Sequence, residues 1–550
     1  MSINIKTEKI LQILSQNKQK WLHLSLQHKI NYLEQIQDNL LINAKQWAEN
    51  CCKAKEGNLD SNIIGQELLA GPAIVMRQIK YYLKALKYNG KPPLLSVKIK
   101  DKEQISVKVM PENLKEKILW KGFSAEVLLE KNKPLLQGES IKKGNKYGEL
   151  SLILGAGNVS SIAPLDILYK LFFEGNICIV KLNPVNEYLF EVFNKVFINL
   201  VKDGFLAFTK GGEELGEFLC NHSLVDNIHI TGSHVTHDKI VWGNGTAEEI
   251  QKKKLSYQVK CNKKITSELG CVTPFIIVPG VWTDDELIYH AKQIASAVTN
   301  NASFNCNAAK LLVTCQGWQQ RDLFLKYLKD EFSKAKARKA YYPGAWQRYT
   351  SFLQHYPQAE IIGENNPNCI PWTFIPNISN HDFALNHEAF CGILCEISLP
   401  ARNIPEFMQK SVEFCNEKVW GTLSCTIIID SLTEKIFASE LDFALQNLQY
   451  GGIAVNCWSA LVYALCSTTW GAFPNSTIEN IKSGIGVVHN GYFLENVEKS
   501  IVRAPFKINP TPPWFHDNKN TEKIGYALLD YEYNESFLNF SKLILAAFKG

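Results

Sequence analysis

Cys306 stands in Phe304-Asn305-Cys306-Asn307, between polar neighbours. Most of the chain's 15 cysteines lie singly inside apolar runs such as Ile177-Cys178-Ile179, where cysteine acts as a small hydrophobe. A thiolate is a nucleophile, but a free thiol of pKa about 8.5 is only partly ionised at neutral pH. Glu268, in Ile265-Thr-Ser-Glu268-Leu-Gly270, is a second candidate. A carboxylate of this kind can serve as a general base. Taken singly, each has a plain alternative: Cys306 as core filling and Glu268 as a solvated charge.

Two further motifs could receive an anion. Gly155-Ala-Gly-Asn158 follows the apolar run Leu150–Leu154 and precedes a helix. A glycine-rich turn at a helix N-terminus lets backbone N–H groups approach a phosphate. The third glycine of a dinucleotide fingerprint is missing, with Ser160 in its place, so a plain tight turn is the equal alternative. Thr231-Gly232-Ser233 is a second strand–turn–helix junction, or simply an N-cap at Ser233.

The elements that would position these residues can be read from the pattern. Thr7 to Lys87 is mainly helical, with Leu33, Ile36, Leu40 and Trp47 at helical spacing. Pro92-Pro93 ends that region, and residues 94–130 read as short strands of an arm or edge sheet. From about 149, strand and helix alternate. A helix is expected from Ser160 or Ser161 with Pro164 in its first turn, then a strand at Ile177–Leu182. One helix is expected across Leu189, Val192, Phe193, Val196, Phe197, Leu200 and Val201, closed by Gly204. A new unit opens near Thr273, with a strand from Pro274 and a capping box at Thr283-Asp-Asp-Glu286. This alternation implies an α/β fold with a parallel sheet covered on both faces.

Bulk properties narrow the function. The 550 residues suit two to four units of about 100–200 residues each. Hydrophobic residues make up 46% and charged residues 21%, as in a globular protein. A net charge of +5 with scattered lysines gives no warrant for a nucleic-acid partner. Met1 to Lys20 has no apolar h-region, which reads as no signal peptide. No window reaches the apolar length of a membrane span. Phe537–Phe548 reads as a docking helix, with membrane-surface contact as the alternative. The cysteines lack zinc spacing, which fits a reduced cytoplasmic compartment and no metal site.

The order decides more than any single motif. Asn158, Lys181, Thr231-Gly232-Ser233, Glu268-Leu-Gly270, Phe304-x-Cys306 and Glu388-Ala-Phe390 succeed one another in an order that resembles the aldehyde dehydrogenase superfamily, in a divergent branch. The resemblance runs from the helical N-terminal region to about Ser483. It implies a Rossmann-like cofactor domain (1–114 and 148–272) and a second α/β catalytic domain (273–483). Residues 115–147 and 484–550 would be bridging strands and tail, giving a homodimer or homotetramer. Cys306 matches the nucleophile, Asn158 the oxyanion donor and Glu268 the base that releases the acid. Lys181, Gly232 and Ser233 match cofactor positions, and Glu388 with Phe390 the pair at the nicotinamide ribose and ring.

The implied activity is oxidation of a small-molecule aldehyde to an acid with NAD or NADP, NAD slightly preferred. An acyl-coenzyme A reductase and a non-catalytic nucleotide-binding scaffold are the alternatives on the same fold. The chain departs from the family pattern in Lys181-Leu-Asn-Pro184, where an acid is usual near Pro184 and Glu187 follows instead. It also departs at Cys271 and Cys391, which would crowd the cofactor pocket. Phe304, Trp372 and Trp420 suit either an aromatic substrate tunnel or ordinary core.

Overall fold

Strands rich in Ile, Val and Leu need both faces covered, and this chain builds two sheets of them. The computed structural model describes residues 2–100, 103–139, 141, 147–363 and 366–550. The smaller sheet has six strands, in the order Gly484–Ile485, Lys264–Leu269, Asn227–Gly232, Leu150–Leu154, Ile177–Lys181 and Leu206–Thr209. All its pairings are parallel except that of Gly484–Ile485 with Lys264–Leu269. The larger sheet has eleven strands, with Gly452–Val455, Ser424–Ile428, Pro274–Ile277, Leu311–Cys315 and Ile393–Leu399 forming its parallel centre.

The helix after Gly155-Ala-Gly-Asn158 spans Ile162–Leu168 and continues as a π turn through Tyr169–Phe173. Ser233 caps the helix His234–Trp242, its hydroxyl accepting from the Thr236 N–H. Thr283 and Glu286 form a complete capping box on Asp284–Thr299. Gly204 adopts the left-handed φ of 69° expected of a closing glycine. The single helix expected across residues 189–201 is broken. A 3₁₀ turn at Pro184–Leu189 leads into Phe190–Val196, and Ile198–Lys202 follows a break at Phe197. Phe193, Phe197 and Leu200 stay fully buried on one side, with both rings near Phe208. The apolar stripe is therefore kept while the helix axis is not.

The hairpin Ser96–Lys100 and Gln104–Met110 belongs to the larger sheet, although it falls within the stretch 1–114 read as nucleotide-binding. It pairs antiparallel with Ser124–Leu129, which pairs with Val497–Arg503 and so with Gly452–Val455. Local antiparallel pairing keeps the hairpin beside its sequence neighbours. Of the bridging segment expected at 115–147, residues 140 and 142–146 lie outside the described residues.

The C-terminal helix Phe537–Ala547 docks on Thr521–Tyr533 through Leu543, leaving Phe537, Leu538 and Leu545 exposed. Among the described residues, no helix is long and apolar enough to cross a membrane.

Replacing Thr283 by Ala removes the capping box from the helix that leads into the Cys306 loop. A loss of about 1 kcal/mol is expected, read as a lower thermal midpoint. An unchanged midpoint would show that the box adds nothing.

Candidate active site

The carboxyl ends of the parallel strands in the smaller sheet open into a cleft of about 940 Å³. Such strand ends are the usual ligand crevice of open α/β sheets. Asn158, Lys181, Gly232, Ser233, Glu268, Cys306, Glu388 and Phe390 all line this one cleft. The residues picked out by sequence order are thus brought together from strand ends of the smaller sheet, the Ser233 turn and three loops.

Cys306 alone among the fifteen cysteines is not buried, and none is disulfide-bonded. Its Sγ lies 3.7 Å from Glu268 Oε1, to which the thiol donates. Glu268 ends the strand Lys264–Leu269 and is 4% exposed. Its other oxygen, Oε2, is buried without a partner. Burial, with Asp166 nearby, raises its carboxyl from 4.5 to about 7. Burial likewise pushes the Cys306 thiol well up, and Glu268 adds to this. The resting pair is therefore a protonated thiol facing a carboxyl poised near neutrality.

The loop that carries Cys306 is strained. Asn301, Ala302 and Ser303 all adopt left-handed φ, at 51°, 54° and 68°, which side-chain-bearing residues rarely do. A buried polar cluster holds them there. Lys55 Nζ donates to Glu67 Oε1 (2.7 Å), to Asn301 Oδ1 (3.0 Å) and to the Asn158 carbonyl (3.1 Å). Asn301 Nδ2 donates to the same carbonyl at 3.0 Å, and the Tyr341 hydroxyl reaches both partners. Asn158 Nδ2 donates to the Phe304 carbonyl at 3.0 Å, which fixes its amide beside the Cys306 loop.

On the cofactor side, Glu388 pairs with Lys310 at 3.0 Å. A Cβ on Gly270 would overlap the Glu388 carboxylate, so any side chain there would displace that carboxylate. Phe390 is held at φ 42°. Arg348 fixes that turn by donating to the Ala389 and Phe390 carbonyls at 3.1 and 3.2 Å. Lys181 runs along Gly216, and burial lowers its pKa.

Three points that the sequence leaves open are decided by the structure. Glu187 does not face the cleft in place of the usual acid; its carboxylate accepts the Gly211 N–H at 2.9 Å. Cys271 and Cys391 are fully buried and do not line the cleft, so neither crowds it. The aromatic tunnel is not formed by Trp372 and Trp420. Trp372 is core, bonded to the Ala335 carbonyl, and Trp420 packs against the His234 ring at 4.9 Å without lining the cleft. Phe304 is buried against Tyr341, Tyr342 and Phe390.

Lys55, Asn301, Lys310 and Arg348 were not singled out from sequence. Lys55 left a faint signal, as a charged residue on the buried side of Leu26–Glu56 with Cys51 and Cys52.

Residues 158–345 match the family model described as the aldehyde dehydrogenase family. The chain is 27% identical over 165 residues to 4-trimethylaminobutyraldehyde dehydrogenase A of Danio rerio, covering 30% of this chain and 28% of that protein. The matched stretch therefore spans under a third of this curated relative. In overall structure the chain is similar to aldehyde dehydrogenase KauB from Pseudomonas aeruginosa, with TM-score 0.63, 14% identity, and coverage of 90% and 88% of the two chains. It is also similar to glyceraldehyde-3-phosphate dehydrogenase GapN from Methanocaldococcus jannaschii, complexed with NADP, with TM-score 0.61, 14% identity and coverage of 90% and 94%. Residues 158–345 thus match the aldehyde dehydrogenase family model, and the whole chain has the fold of the aldehyde dehydrogenase structures it is similar to.

The cleft fits a nicotinamide dinucleotide. Gly232 leaves its surroundings open, since a Cβ there would meet only Ile230 at 3.8 Å. The N-terminus of His234–Trp242 offers N–H groups to a pyrophosphate. Lys181 and Glu388 stand at separate parts of the same cleft.

The raised Glu268 carboxyl makes a prediction about stability. A carboxyl shifted from 4.5 to about 7 favours folding fully below pH 4.5, and this is lost as pH rises through 7. Glu268→Gln carries no charge at any pH. It should therefore exceed wild type in stability by up to about 3 kcal/mol near pH 8.5 and match it near pH 4.5. Unfolding midpoints at the two pH values test this, and a gap that does not grow with pH would refute it.

Proposed function

We propose that this aldehyde dehydrogenase oxidises an aldehyde to a carboxylic acid with NAD or NADP, through a covalent thioester on Cys306. The observation that carries the reading is the Cys306–Glu268 contact of 3.7 Å, inside a cleft that also holds the dinucleotide residues.

The residues act in sequence. Glu268 accepts the Cys306 proton, and the thiolate attacks the aldehyde carbonyl carbon. The oxygen becomes an oxyanion between the Asn158 amide and the Cys306 backbone N–H. One such donor is typically worth about 2.7–4 kcal/mol of transition-state stabilisation. Collapse of the oxyanion requires a hydride acceptor, which is the chemistry the nicotinamide supplies when bound. Glu268 releases that first proton to solvent and then takes one from water, which attacks the thioester; the departing Cys306 thiolate is reprotonated from Glu268. A carboxyl near pH 7 is suited to both proton transfers. Lys181 and the Ser233 turn would hold the adenosine and pyrophosphate, and Glu388 with Phe390 the nicotinamide ribose and ring.

The reading includes a nucleotide domain built on the smaller sheet, a catalytic domain on the larger one, and homo-oligomers formed through the strands near 115–147 and 484–515. Fifteen free cysteines support a cytoplasmic, reducing setting.

An aldehyde panel run separately with NAD and NADP tests the activity and names the cofactor. Cys306→Ala should abolish NAD(P)H production with every aldehyde, and retained turnover would exclude Cys306 as nucleophile. Glu268→Gln should slow steady turnover at least about a hundredfold while leaving a stoichiometric burst. In wild type, thioester hydrolysis should rise with pH and level off above about 7. Turnover that requires coenzyme A would overturn release to water.

A further inference from the structure

Lys310 is a buried cation that the steps above do not use. It is 4% exposed and directly precedes the central strand Leu311–Cys315. Its backbone is pinned on both sides, its N–H donating to the Thr273 carbonyl and its carbonyl accepting the Cys395 N–H at 3.0 Å. Its ammonium donates to the Cys306 carbonyl at 2.7 Å and pairs with Glu388 Oε1 at 3.0 Å. The Thr273 hydroxyl donates to the same Cys306 carbonyl at 2.9 Å. The nucleophile's peptide and the cofactor-facing carboxylate therefore share one ammonium.

We propose that Lys310 is a positioning residue that ties the nucleophile's backbone to the Glu388 carboxylate, so that Glu388 governs how much of the Lys310 charge acts on Cys306. This rests on reading Cys306 as the nucleophile and Glu388 as the ribose ligand.

The charges around Cys306 give the reason. Burial opposes the thiolate first, and Glu268 and Glu388 oppose it by charge, while Lys310 favours it. An ammonium paired with a carboxylate is largely neutralised at a distance, and one released from its partner is not. Ribose hydroxyls donating to Glu388 would draw that carboxylate's charge toward the cofactor. Lys310 would then act more strongly on the thiol, making thiolate formation depend on an occupied cleft. A buried ion pair is weak evidence for stability in itself, so a purely structural pair is the competing explanation. The two accounts differ in sign. Loss of Lys310 and loss of the Glu388 charge both break the pair, but they move Cys306 ionisation in opposite directions only if the charge reaches the thiol.

The test is the pH dependence of Cys306 alkylation by iodoacetamide, read by mass of the Cys306 peptide in the full chain without substrate or cofactor. Lys310→Met should move the midpoint up by about one pH unit and slow alkylation about tenfold near pH 8. Glu388→Gln should move the midpoint down by a similar amount. Lys310→Arg should keep the wild-type midpoint to within a few tenths of a unit. Equal midpoints in wild type and Lys310→Met, or shifts of both variants in one direction, overturn the proposal. If circular dichroism shows that Lys310→Met does not fold, Glu388→Gln decides alone, and a midpoint at or above wild type overturns it. Aldehyde turnover by Cys306→Ala would refute the reading of the nucleophile and leave the alkylation comparison intact.

Discussion

The buried ammonium of Lys55 is the constraint on which the site depends. It comes from the helix Leu26–Glu56 and meets Glu67, Asn158 and Asn301 in the protein interior. Asn158 follows the first strand of the smaller sheet, and Asn301 begins the loop to Cys306. One cation therefore fixes the separation of Asn158 and the Cys306 loop. Three consecutive left-handed residues cost free energy, and the hydrogen bonds of this cluster offset it. Removing Lys55 would leave the buried Glu67 unpaired as well as releasing the loop, and uncompensated buried charge is the costlier loss.

Around that clamp, burial itself sets the chemistry. The cleft desolvates Cys306 and Glu268 together, so both favour their protonated forms. A carboxyl near pH 7 can take and release a proton within one cycle, which an ordinary Glu does poorly at neutral pH. The same burial makes the thiol hard to ionise, and the Lys310 ammonium beside the Cys306 carbonyl counteracts it. Glu268 and Cys306 are thus tuned by one dry environment, with the Lys310 ammonium offsetting part of the cost of ionising the thiol.

Some of the site was legible because its signals are local. Ser233, Thr283 and Glu286 cap helices through contacts within one turn, so their roles follow from neighbours in sequence. Glu187 shows the limit. Its position after Lys181 leaves it free to substitute for the missing acid, yet its carboxylate is spent on the Gly211 N–H. Nothing near Glu187 in sequence announces that loop. The break at Phe197 has the same origin: a periodic stripe specifies which side is buried, while the shape of the surface beneath decides whether the axis stays straight.

The sequence by itself determined the α/β alternation and, through motif order, the set Asn158, Lys181, Glu268, Cys306 and Glu388. Periodicity and turn chemistry act over a few residues, and the order of motifs survives even where single residues drift. Only the tertiary structure decided that these residues share one cleft, that Cys306 is the one cysteine left partly exposed, and that Cys271 and Cys391 stay in the core. It alone placed Lys55 and Lys310. Lys55 meets Asn158 and Asn301, and Lys310 meets Glu388, across long stretches of chain, and a buried cation is recognised by what surrounds it in space rather than by its neighbours in sequence.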